Sequence, residues 1–498
     1  MAKPQIKIDY KNVMADVIGE EHGITKGQWI DLTEKVEPLI PIIMKEIEGY
    51  QRHPNITPTR YGLLRNNTEL AEELKERAND LKGRYDNLVV LGIGGSALGN
   101  IALQTALNPY MYNLDDKLRK GKPRLFVFDN VDPEQLTSFL NTLGDGLKRT
   151  IFNVISKSGR TAETAAQFLL IKDILKSQYS REKKKVCLAD HIIVTTGFEK
   201  DKKRKPKSTL YKIAKSEKPK LPLLEVPKDV GGRFSVLSVV GLFSAAMCGI
   251  KIDKLLEGAQ DMHERVSCKD FNKNPAAINA AINYHFYKCG KRNSVIMPYA
   301  YALKDMADWY RQLWAESLGK RFDLNKREVW TGPTPIKALG VTDQHSQVQL
   351  YREGPNDKLF TLLEVKNFKN DFVIGPTPKC ASELNYLPKK KMTELLNNEK
   401  KATEYALSRD KRPNLTVLFN RVNAHTIGQF IYLYEVTTSF MGALLGIDTY
   451  NQPAVELGKE ATFALMRKKG YCKFVEMTYR KLAQKIIAAT KINKKYRV

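Results

Sequence analysis

Cysteine is scarce and scattered. The six cysteines (Cys187, Cys248, Cys268, Cys289, Cys380 and Cys472) include no Cys-x-x-Cys pair, which argues against a disulfide framework or a zinc ribbon and predicts reduced, mostly buried thiols. The seven histidines include no His-Glu-x-x-His, and no His/Cys cluster has metal-ligand spacing, so a dedicated metal site is not expected. Long apolar runs are missing as well: none reaches the ~20 residues that span a bilayer. The opening Met1-Ala2-Lys3-Pro4-Gln5-Ile6-Lys7 lacks a signal-peptide core. A cytoplasmic protein with no membrane partner is expected. There is no short-period repeat.

What is present is an ordinary globular composition, 42% hydrophobic and 27% charged, over 498 residues, enough for two or three domains. The formal charge of +26 is its oddest bulk property and invites a nucleic-acid reading. Much of that charge is local, in Lys183-Lys184-Lys185, Lys202-Lys203-Arg204-Lys205-Pro206-Lys207, Lys389-Lys390-Lys391 and Lys494-Lys495-Tyr496-Arg497. These runs hold few aromatics to stack on bases, and they match no nucleic-acid module. A lysine-rich solvated surface that draws in small anions is the better reading, and a nucleic-acid partner is not expected.

Residues 1–80 read as helical, broken by proline between Glu34 and Met44. Short apolar runs then alternate with helical stretches. Strands are expected at Asn87 to Leu91, Arg124 to Phe128, Ile151 to Ile155, Ile192 to Thr195 and Leu223 to Val226, with helices from Ala97 to Leu107 and from Thr161 to about Ser177. Continuous apolar strands separated by helices mean a parallel sheet covered on both faces. After a helical section from Val236 to about Tyr287 the pattern restarts, with strands at Asn293 to Met297, Lys358 to Val365 and Asn414 to Phe419 and a long apolar helix from His425 to Leu445. The sequence therefore predicts two α/β units of unequal size with helical additions at both ends.

In such sheets ligands sit beyond the carboxyl ends of the strands. Gly92-Ile93-Gly94-Gly95-Ser96 superficially resembles a dinucleotide fingerprint, but Ala97 stands where the third glycine belongs, which counts against NAD. Ser156-Lys157-Ser158-Gly159-Arg160-Thr161-Ala162-Glu163-Thr164 joins a buried strand to a helix start, where hydroxyls, backbone N–H groups and the helix dipole suit a monophosphate. Its alternative is a hydroxyl-rich helix cap completed by Glu163. Gly231-Gly232-Arg233 sets an arginine where glycines allow close approach, or else a loop arginine pairing with a surface acid. His345 lies among polar groups able to fix its tautomer, or is simply a structural histidine. Gln452 and Lys459 flank a helix start.

Trp309, Leu313 and Trp314 share one helical face, and Gly319 is placed for a left-handed cap, which puts Glu316 on the last turn. A carboxylate there feels the negative end of the dipole, which can lift its pKa towards that of a useful general base. Taken alone, a solvated helix-end glutamate is the common alternative.

Together and in this order, from about Leu88 to Lys459, these motifs closely resemble the glucose-6-phosphate isomerase (phosphoglucose isomerase) family in its bacterial-type form. The resemblance implies two sugar-isomerase (SIS) domains, each a parallel β-sheet sandwiched by α-helices. The expected division is a helical extension at 1–80, a first SIS domain at 81–250, a helical connection at 251–290, a second SIS domain at 291–450 and a helical segment at 451–498. It implies interconversion of glucose 6-phosphate and fructose 6-phosphate, a step of glycolysis and gluconeogenesis, with no cofactor or metal. Carried onto this chain, Ser156, Lys157, Ser158, Thr161 and Thr164 would hold the phosphate, with Gly95 and Ser96 near the sugar. His345 and Lys459 would open the ring, and Glu316 would move the proton between C2 and C1. Arg233 would stabilise the intermediate, and Gln312 and Gln452 would contact substrate. The resemblance also implies a homodimer in which His345 serves the neighbouring subunit's site. Arg160 departs from the small hydroxyl residue common at its place. The rival readings are an isomerase that also accepts mannose 6-phosphate and a non-catalytic SIS module that senses a phosphosugar.

Overall fold

The computed structural model describes residues 5–183, 185–198 and 208–491; Lys184, the 202–207 basic run and the 494–497 tail lie outside the described residues. A short strand β1 (Lys7–Asp9) precedes the Lys26–Val36 and Leu39–Glu46 helices. The first of these starts on a Thr25/Gln28 capping box, and the two are divided at Pro38, which cannot donate to a continuous helical ladder.

Strands β2 (Asn87–Leu91), β3 (Arg124–Phe128), β4 (Thr150–Ile155), β5 (Ile192–Thr196) and β6 (Leu223–Glu225) form a parallel sheet in the order β3-β2-β4-β5-β6. Every residue of β2, β4 and β5 is buried, and for that reason these strands read as mostly apolar runs. Three helices follow, Val239–Met247, Ile252–Val266 and Pro275–Lys288.

The second sheet contains β7 (Asn293–Pro298), β10 (Thr334–Lys337), β11 (Lys358–Val365) and β12 (Asn414–Phe419), with a separate hairpin of β8 (Lys320–Phe322) and β9 (Glu328–Thr331). Its order is β1-β12-β11-β7-β10, and β1 pairs antiparallel to β12. Each main sheet has five strands, and one expectation is corrected here: the N-terminal extension is not wholly helical, because it supplies an edge strand. Lys7-Ile8-Asp9 has a single apolar residue, and β10 carries Pro335 on an edge, so neither strand leaves an apolar run to find.

The Lys304–Leu318 helix follows β7 and runs back along the second sheet, and the almost wholly buried Ala424–Leu444 helix does the same after β12. Among the described residues no helix is long and apolar enough to cross a membrane. The Ala454–Leu465 and Tyr479–Thr490 helices pack on each other around a small core of their own that includes Ala464, Cys472, Tyr479 and Leu482. The thiols are less buried than expected: Cys248 and Cys472 are enclosed, whereas Cys289 and Cys380 are exposed on loops and helix ends.

Candidate active site

Three turns leave the carboxyl end of the first sheet: Gly92 to Ser96 after β2, Ser156 to Thr161 after β4, and the segment after β6 that reaches Gly231-Gly232-Arg233. The first and third meet backbone to backbone. A Cβ on Gly95 would lie 2.2 Å from the Gly232 carbonyl carbon, so no residue but glycine fits without moving a loop. Ser96 closes the same turn, with its Cβ against Gly92.

This contact sets Arg233 in the interior, only 2% exposed. Its Nε donates to Ser317 Oγ at 2.6 Å, its Nη1 to Gln452 Oε1 at 2.9 Å and Glu316 Oε2 at 3.3 Å, and its Nη2 to the carbonyls of Thr449 at 2.7 Å and Asn451 at 3.2 Å. Burial lowers the guanidinium's pKa and the Glu316 charge opposes that shift, while arginine is basic enough to stay a cation. Glu316 Oε1 accepts from Gln312 Nε2 at 3.3 Å, one helical turn back. The structure thus joins Arg233, Glu316, Gln452 and Gln312 in one hydrogen-bonded cluster beside Gly95.

The helix that carries the carboxylate is held by its apolar face, since Trp309, Leu313 and Trp314 are buried. It does not end as expected. Gly319 has φ −72° and ψ 98°, extended and not left-handed, and Gly332 beside the adjoining hairpin packs against it: a Cβ on Gly332 would come within 2.7 Å of Gly319 Cα. The carbonyls of the last turn are taken instead by Lys320, whose Nζ donates to Glu316 O at 2.6 Å and Ser317 O at 2.9 Å.

In the second turn Ser156 Oγ lies 3.0 Å from Thr161 Oγ1 and accepts from Gly159 N, while Ser158 Oγ accepts from Arg160 N. Thr161 starts the Ala162–Arg181 helix without a side-chain cap bond, so the expected alternative of a Glu163-completed cap is not formed. Thr164 Oγ1 on that first turn is buried without a hydrogen-bond partner. Lys157 Nζ donates to the carbonyls of Lys228 and Val230, tying this turn to the segment that leads to Arg233.

Two predicted residues stand apart. His345 is exposed on a turn beyond the carboxyl end of β10, whereas Glu316 ends a helix that has returned to the amino end of the same sheet. Lys459 is half-exposed and paired with Glu456 at 2.7 Å. Among the described residues neither is hydrogen-bonded to the Arg233 cluster. Sequence reasoning missed Ser317, Lys320 and the carbonyls of Thr449 and Asn451. The first two lie inside the Trp309 to Lys320 stretch but carry a signal only once the helix end is known, and a backbone carbonyl leaves none.

Two five-stranded α/β sheets thus bring a carboxylate, a buried guanidinium and two amides together at their turns and helix ends. A family model described as phosphoglucose isomerase matches residues 73–473. A glucose-6-phosphate isomerase of Carboxydothermus hydrogenoformans is 45% identical over 400 residues, covering 80% of this chain and 82% of that protein. In fold, a hypothetical protein from Thermus thermophilus superposes with a TM-score of 0.77 at 28% identity, over 94% of this chain and all of the other. A glucose-6-phosphate isomerase from Chlamydia trachomatis gives 0.73 at 21% identity, over 93% of this chain and 89% of the other. The chain belongs to the phosphoglucose isomerase family.

Proposed function

We propose that the protein interconverts glucose 6-phosphate and fructose 6-phosphate through a cis-enediol, with Glu316 as the base and Arg233 as the fixed cation. The observation that carries this reading is the Arg233 to Glu316 contact, 3.3 Å inside a cluster otherwise closed to solvent on the arginine side. An aldose-to-ketose shift removes a weakly acidic C–H proton and returns it to the neighbouring carbon, work for one carboxylate on one face of the sugar. Negative charge then grows on the enediol oxygens, where the guanidinium, fixed in place by five acceptors, supplies a positive charge. Gln312 Oε1 and Asn451 Oδ1, buried without partners, are acceptors a sugar hydroxyl would satisfy.

The Ser156 to Thr164 turn holds the phosphate on this reading, and its free helix start and the unpartnered Thr164 hydroxyl support that. Remote binding of this kind orients the reacting carbons. Glu316→Gln is expected to lower kcat by about a hundredfold or more, the contribution of a general base, with KM little changed. A coupled assay of fructose 6-phosphate conversion measures this, and near-normal turnover of the variant would refute the assignment.

Ring opening falls to Lys459 and His345. Lys459 lies on the Ala454–Leu465 helix, seven residues after Gln452. His345, exposed and at the opposite end of its own sheet from Glu316, serves a neighbouring copy on this reading, each site of a homodimer being completed by the other chain. Dilution below the dimer's dissociation constant should abolish turnover, as followed by enzyme-concentration dependence of the specific activity. Constant specific activity across dissociation, seen by light scattering, would remove the cross-subunit role.

A further inference from the structure

We propose that Lys320 is a positioning residue for this reaction, clamping the open end of the Lys304–Leu318 helix so that Glu316 and Arg233 are held in register with each other. The inference rests on the reading of Glu316 as the base. A helix leaves its last carbonyls without intrahelical partners, and a lysine amine satisfies such groups and complements the dipole. Lys320 does this at two successive residues with separate jobs: Glu316 O, behind the carboxylate, at 2.6 Å, and Ser317 O, behind the hydroxyl that accepts from Arg233 Nε, at 2.9 Å. One amine therefore fixes the backbone from which both the base and the arginine's anchor project.

The clamp is itself braced. Lys320 is the first residue of β8 and pairs with Thr331 of β9, and the Gly319/Gly332 contact leaves no slack between hairpin and helix. An ammonium 7% exposed is costly unless its place matters. Burial, and then the nearby Arg233 charge, lower its pKa to about 7, with Asp448 and Glu316 opposing. A surface cap would bear no such cost, and solvent or a left-handed glycine would close the helix as well.

A double-mutant cycle of Lys320→Met and Glu316→Gln, read as kcat and KM with folding checked by circular dichroism, tests this. Lys320→Met alone should lower kcat by about 10- to 100-fold with KM within about twofold, the cost of a misplaced base. In the Glu316→Gln background the same change should cost less than about threefold, because a displaced side chain that no longer acts as base has little left to lose. Equal losses in both backgrounds, or unchanged kcat in the single variant, would overturn the positioning role while leaving Glu316 intact. Normal turnover of Glu316→Gln alone would instead overturn the base assignment. If Lys320→Met does not fold, Lys320→Gln, which keeps an amide donor, enters the same cycle with the same criteria.

Discussion

At the scale of single residues, the buried titratable groups set how the protein responds to pH. His263 packs against Tyr432, with Nδ1 2.8 Å from the phenol oxygen, and burial with the Arg65 charge lowers its pKa from 6.5 to about 4, against Glu48 and Glu264. Between these values the unfolded chain binds a proton that the folded one refuses, so the stabilisation is complete above pH 6.5 and drains away as pH falls towards 4. Thermal unfolding across pH 7 to 4 should show the gap in Tm between wild type and His263→Asn narrowing with acid. Glu435 works in the opposite sense. Both its oxygens, inside the Ala424–Leu444 helix, are buried without partners, and burial pushes its carboxyl well above the usual range by disfavouring the charged form.

At the scale of elements, the main strands were legible because burial on both faces writes itself as apolar runs, and β3, β11 and β12 fall at their expected ends. β1, β8 and β10 were not, because they are short and on edges or hairpins, where pairing and not composition makes the strand. The candidate site was legible as residue types; its geometry depends on two loop-to-loop contacts between glycines that no periodicity announces. Helix packing hides similar information. Gly258 and Gly428 lie where the Ile252–Val266 and Ala424–Leu444 helices touch, and a Cβ would sit 1.9 Å from His425 O at the first and 2.0 Å from Leu255 O at the second. Gly→Ala in a helix ordinarily stabilises by about 0.5–1 kcal/mol. Here Gly428→Ala should destabilise by about 1–3 kcal/mol, the range for overpacking, measured as a lower denaturation midpoint in urea with an unchanged slope.

At the scale of the whole molecule, the charge of +26 is expected to act on substrate capture more than on chemistry. A dianionic sugar phosphate approaching a cationic surface is drawn in over roughly a Debye length, about 10 Å at 0.1 M salt. Raising ionic strength from 0.02 to 0.5 M should therefore lower kcat/KM several-fold and leave kcat nearly constant, as seen in initial rates at fixed pH. Parallel curves for kcat and kcat/KM would place the salt effect on the catalytic cluster instead. The N-terminal segment is part of this whole: Glu46, fully buried, is bridged to Arg52 at 2.6 Å and to Tyr450 at 2.7 Å, bracing the loop whose carbonyls hold Arg233.

The pairing of Lys7 with Leu418 joins positions 411 residues apart. During synthesis at about 5–20 residues per second, roughly 20–80 s pass between the emergence of β1 and that of its partner. For that interval a strand made near the start has nothing to pair with, while the first sheet can already close on itself. The ends of that strand, Lys7 and Asp9, are charged, the kind of residue that disfavours edge-to-edge pairing with another chain.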